Sequence, residues 1–69
     1  MAVTSRKTGV GTAIRVARKA AGMTLADVSR TAGVSVPYLS NVENGNAHPS
    51  AKWVHMVIEV IGNQLEDVA

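Results

Sequence analysis

The chain has 69 residues, no cysteine, two aromatic residues and a formal net charge of +2 at pH 7. A chain this short makes one domain that buries only about 60% of its unfolded surface. Without cysteine it has no disulfide or thiolate metal site as a staple, so packed helices, association, or both must hold it together. No apolar run approaches the roughly 20 residues that span a bilayer, and no long apolar segment follows the first basic residues as in a signal peptide, so the expected setting is the cytoplasm.

Residues 1–9, MAVTSRKTG, show no periodicity and read as a flexible leader. Arg6 and Lys7 make it either a basic arm for a polyanion or a frayed end with two solvated charges. The folded domain is expected over residues 10–69. Gly9-Val10-Gly11 is not a phosphate loop, because no strand precedes it and no G-K-[ST] follows.

A first helix is predicted from Val10 or Thr12 to Ala21, ended by Gly22, with Val10, Ile14, Ala17 and Ala21 as its core stripe. Arg15, Arg18 and Lys19 lie elsewhere on it. A second helix starts at Thr24, where T-x-x-D with Asp27 makes a capping-box pattern, and ends at Ala32 before Gly33. Leu25, Val28 and Ala32 supply its buried face. Ser35 is the N-cap of a third helix over about Val36 to Asn44. Pro37 suits its first turn but pushes Val36 away from helical geometry. Leu39 and Val42 face inward. Ser35, Val36, Pro37, Ser40 and Asn41 then face outward, flanked by Tyr38 and Asn44. Solvated helix faces usually carry several charges, and this one has none before Glu43.

Asn44-Gly45 ends that helix and NGNAHP follows as a polar loop. A fourth helix runs from the N-cap Ser50 to Ile61, before Gly62, with Val54, Val57, Ile58 and Ile61 as its core face. Trp53, Met56 and Val60 form a second apolar stripe. One monomer this small cannot easily bury both, so the second stripe is expected to be a homodimer interface; the alternative is that Trp53 caps the edge of a thin core. NQLEDVA makes a last turn or short fifth helix, with Leu65 and Val68 folding back. His48 and His55 are ordinary histidines, seven apart with no third ligand near.

Charge divides along the chain. Through Val42, Arg6, Lys7, Arg15, Arg18, Lys19 and Arg30 stand against Asp27 alone; afterwards Lys52 stands against Glu43, Glu59, Glu66 and Asp67. A basic front and acidic back suit a protein that turns one face to a polyanion, although an ordinary solvated surface can show the same division.

TLADVSRTAGVSVPYLSNVENG, residues 24–45, has the outline helix, glycine turn, helix. It resembles the phage-repressor and Cro-like helix-turn-helix family, most closely in PYLSNVENG, and the flanking GTAIRVARKAAGMT and HPSAKWVHMVIEVIGNQLEDV extend the resemblance over roughly residues 11–68. The resemblance implies an all-α fold, a compact four- to five-helix bundle of the lambda-repressor type. It makes the third helix the recognition helix in the DNA major groove. Asn41 would then pair with adenine and Val36 and Pro37 would pack on thymine methyls. Ser40 would reach a base edge or a phosphate, and Ser35 would complete the base-facing set. With no Arg or Gln on this face, the readout leans to A·T pairs and DNA shape.

Arg6, Lys7, Arg15, Leu25, Tyr38, Asn44, Asn46 and His48 fall at expected contacts to the DNA backbone. Lys19, Arg30 and Lys52 are further candidate phosphate partners, though all the cations cannot share one face. Leu25 stands where the family often has Gln, so only the backbone N–H groups there can serve. In the family an Arg at the position of Arg18 pairs with a Glu at that of Glu43, and both residues are present.

The expected function is that of a sequence-specific transcriptional regulator, most nearly a Cro-type repressor. It would bind a palindromic operator as a homodimer, with half-sites about 34 Å apart. A restriction-modification controller or an antitoxin of the same fold is a close rival. The alternative class is a protein-interaction module that keeps the fold without DNA binding, distinguished by its lack of salt dependence. An enzyme finds no support, since no catalytic set accompanies a pocket. No cofactor, metal, membrane or small-molecule ligand is expected.

Overall fold

Three of the four helices start at a side chain that accepts a backbone N–H hydrogen bond. In the computed structural model, which describes residues 9–68, these are α1 (Val10–Ala20), α2 (Leu25–Ala32), α3 (Val36–Glu43) and α4 (Ala51–Val68). Arg6 and Lys7, and with them the predicted basic arm, lie outside the described residues. At α2 the capping box is complete: Asp27 N donates to Thr24 Oγ1 at 3.0 Å, and Thr24 N donates to Asp27 Oδ2 at 2.9 Å. Ser35 Oγ accepts from Tyr38 N at 3.1 Å, and Ser50 Oγ from Trp53 N at 3.1 Å. Val36 is the first residue of α3 despite the proline after it, because Pro37 sits in the first turn, where its missing N–H has no intrahelical partner to lose.

The turn between α2 and α3 is equally determined. Gly33 has φ +73°, a left-handed conformation that costs a side chain about 1 kcal/mol or more. Its N–H and that of Val34 both donate to Ser29 O, and the Ser29 hydroxyl donates to Val34 O. The turn therefore returns the chain at one angle, and α3 leaves it in a defined direction.

α1 and α2 each pack on both α3 and α4. Between them lie Ile14, Val28, Leu39, Val42, Val57 and Ile61, all essentially without solvent exposure, with Ala21 at the end of α1. The core positions predicted at the centre of each stripe are the ones found buried. Those at the edges are not: Val10 is 41% exposed and Ile58 40% exposed. Both lie to one side of their helix's buried line, which runs through Gly11, Ile14 and Arg18 in α1 and through Val57 and Ile61 in α4.

Gly62 does not end α4, which continues as one helix to Val68, so four helices are present among the described residues and the last turn is no separate fifth. Glycine inside a helix costs only about 1 kcal/mol relative to alanine. Leu65, four residues beyond Ile61, packs against the core and repays the continuation.

Candidate nucleic-acid interface

α3 has a back and a front, and the back is fixed first. Gly11 in the first turn of α1 lies against the C-terminal end of α3 so closely that a Cβ there would sit 2.0 Å from Val42 O. Only glycine permits this approach, which brings Arg18, seven residues on and so on the same face, to Glu43. Arg18 Nε donates to Glu43 Oε2 at 2.7 Å and Nη2 to Oε1 at 3.0 Å, a two-pronged pair with 10% and 5% side-chain exposure. Nη1 donates to Met23 O at 2.9 Å. One guanidinium thus ties α1, the α1–α2 turn and α3 together. The hydrogen bond to Glu43 holds the Arg18 pKa above its ordinary value, against the opposing effect of burial. The helix-to-helix tie expected between Arg18 and Glu43 is present. Gly11 was not foreseen as part of it; its signal was a glycine on the same face as Ile14 and Arg18.

The front of α3 carries the residues assigned to base contacts. Ser35, Val36, Pro37 and Asn41 are exposed, and Ser40 is half-buried. Val36, at 37% exposure, is apolar surface facing out at the start of the helix. The only charged side chain of α3, Glu43, is turned to the back. Asn44, Asn46 and His48 are exposed in the segment that follows. That segment is held to α3 by Asn44 N to Ser40 O at 3.0 Å, Gly45 N to Val42 O at 3.1 Å and Asn46 N to Asn41 O at 2.8 Å. These bonds hold the loop against the last turn of α3.

The flanking groups differ in availability. Arg15 and Lys19, four apart on α1, and Lys52 near the start of α4 are exposed. Arg30 Nη2 donates to Asp27 Oδ1 at 2.8 Å in an exposed pair, so its charge is offset but exchangeable. Leu25 is half-buried and packs against the core. Its side chain contributes to folding, leaving backbone N–H groups as the polar donors of that first turn. The Asp27 carboxyl is held below its usual range, first by the Thr24 N–H, then by the Thr24 hydroxyl and Arg30.

Tyr38 and Trp53, assigned in the sequence to different surfaces, meet edge to face with ring centroids 5.3 Å apart and planes at 81°. Such a pair contributes about 0.5–1.5 kcal/mol beyond its area. Trp53 is half-buried and packed on the core, which leaves Met56 as the more exposed part of its stripe. Among the described residues no group of three His, Asp or Glu side chains is placed to hold a metal ion, and no helix is long and apolar enough to cross a membrane.

A helix-turn-helix family model matches residues 14–67. The HTH-type transcriptional regulator DdrOP3 of Deinococcus deserti is 33% identical over 55 residues, covering 80% of this chain and 43% of that protein. The transcriptional regulator ClgR of Mycobacterium tuberculosis is 46% identical over 48 residues, covering 70% of this chain and 43% of that protein. The chain thus spans less than half the length of these curated relatives. No solved structure matches it significantly.

Proposed function

The chain belongs to the phage-repressor and Cro-like helix-turn-helix family, and on that premise we propose that it is a DNA-binding transcriptional regulator that lays α3 in the major groove. The observation that carries this reading is the division of α3. Its one carboxylate is locked behind the helix by Arg18, so the exposed front is neutral, small and able to approach a polyanion without repulsion. Arg15, Lys19, Lys52, Arg6 and Lys7 supply candidate phosphate partners, with Asn44, Asn46 and His48 along the loop edge. Relatives named as transcriptional regulators agree with this reading.

The finer reading is a Cro-type repressor that binds a palindromic operator as a homodimer and blocks polymerase. Met56 and Val60 on α4, with the outer edge of Trp53, form the surface between the two copies. A protomer of 35 × 25 × 19 Å is compatible with two recognition helices about 34 Å apart, one turn of duplex. Selection of sites from a random duplex pool at two salt concentrations tests the whole reading. An inverted repeat whose affinity falls as salt rises is the expected result. Single half-sites would remove the dimer and keep the DNA function. No enriched site and no salt dependence would replace both with a protein-interaction module.

A further inference from the structure

The donors and acceptors on the front of α3 narrow what it can read, and this step rests on the DNA-binding reading above. We propose that α3 reads a C5-methylpyrimidine through Val36 and Pro37 and an adenine through Asn41, at separate base pairs, with no bidentate Arg or Lys contact to guanine.

Guanine shows the major groove two acceptors, N7 and O6, and is met by a group with two donors, usually Arg or Lys. α3 has neither residue. At the start of the helix Pro37 has no N–H and the Tyr38 N–H is already given to Ser35 Oγ, so the backbone offers no adjacent pair of free donors there. Ser40 is half-buried, with Asn44 Nδ2 3.5 Å from its hydroxyl. Asn41 is exposed, and its amide pairs one donor with one acceptor, which complements adenine N7 and N6. Val36 and Pro37 offer apolar surface in the turn that enters the groove, where the pyrimidine C5-methyl is the apolar group on display.

Spacing links the two contacts. Pro37 and Asn41 are four residues apart, so they share a face and lie about 6 Å apart along the helix axis. A helix in the major groove therefore brings these two groups to nearby but separate base pairs. An apolar contact to a methyl does not sense the hydrogen-bonding edge of the ring that bears it. At the position facing Val36 and Pro37, 5-methylcytosine therefore replaces thymine with little loss, whereas cytosine does not.

The test uses the full chain and its selected duplex, with one atom or group changed at a time and affinity measured at a single salt concentration. Replacing the contacted thymine by uracil removes only the methyl and weakens binding about fourfold. Replacing the contacted adenine by 7-deazaadenine removes N7 and weakens binding about fivefold. In Val36→Ala the thymine–uracil difference shrinks and the adenine difference stays; in Asn41→Ala the reverse holds. Duplex binding with no response to uracil or to 7-deazaadenine at any position facing α3 overturns this inference and leaves the DNA function standing. A chain that binds no duplex overturns the DNA function and this inference with it.

Discussion

The back of α3 is closed by backbone-to-backbone contact and a buried ion pair, whereas its front, on the same eight residues, is open and without charge. At the back, Val42 O meets Gly11 with no room for a methyl, and Glu43 takes two hydrogen bonds from Arg18. At the front, Val36, Pro37 and Asn41 touch little of their own protein. The difference shows how a domain this small can hold an exposed helix face in one position. The position of the helix is fixed from behind, while its outward side chains make few contacts of their own.

The sharpest way to break this contrast is Arg18→Met. It leaves the Glu43 carboxylate buried without its partner and is expected to cost about 3–5 kcal/mol. In a domain of this length that lowers the melting temperature by roughly 15 °C or more, read by calorimetry. Arg18→Met with Glu43→Leu should recover most of the loss, because no buried charge remains. A single variant that costs no more than an exposed pair would show that the back of α3 is not locked.

Gly11→Ala comes next, at about 2–3 kcal/mol, since the new methyl meets a backbone carbonyl and α1 must move away from α3. Denaturant melts measure it, and a neutral result would mean that α1 and α3 are farther apart than described. Gly62→Ala should act in the opposite direction, raising stability by about 0.5–1 kcal/mol in the same melts. Gly62 is helical and a Cβ there meets nothing within 4 Å. The two glycines thus separate a position needed for close approach from one that is merely tolerated.

The smallest effect concerns acid. Asp27 has a folded pKa below its unfolded value near 3.9, so its contribution is complete above that value and fades as pH falls through the lowered one. A pH series of thermal melts should therefore show a shallower acid limb in Asp27→Asn than in the parent, while a parallel limb would mean that the cap carries no proton linkage.

Much of this was legible in local sequence. Thr24 with Asp27, Ser35 and Ser50 were readable as caps because a side chain reaches its own backbone within three residues. Gly33 was readable as a stop, and Leu39 with Val42 as the inner face of α3. The readings that failed share one cause. Val10, Ile58 and Gly62 were judged from spacing along a single helix, but spacing cannot say how wide the core is or whether packing outweighs a poor helix former. For Trp53 the stripe left two readings open, a dimer contact or the cap of a thin core, and the structure shows it half-buried against the core and edge to face with Tyr38 of another helix. The contact assignments at the front of α3 rest on exposure and residue type, and the duplex experiments above decide them.

The sequence by itself determined the caps at which α2, α3 and α4 start, the glycine stop between α2 and α3, which residues lie at the buried centre of each helix, and that α3 would show an uncharged face, because these follow from interactions within about one helical turn. Only the tertiary structure decided that Gly11 must be glycine and that Tyr38 and Trp53 share one contact. Those facts depend on the distance between helices far apart in the chain. That distance is set by the packing of all four helices at once and is encoded in no single segment.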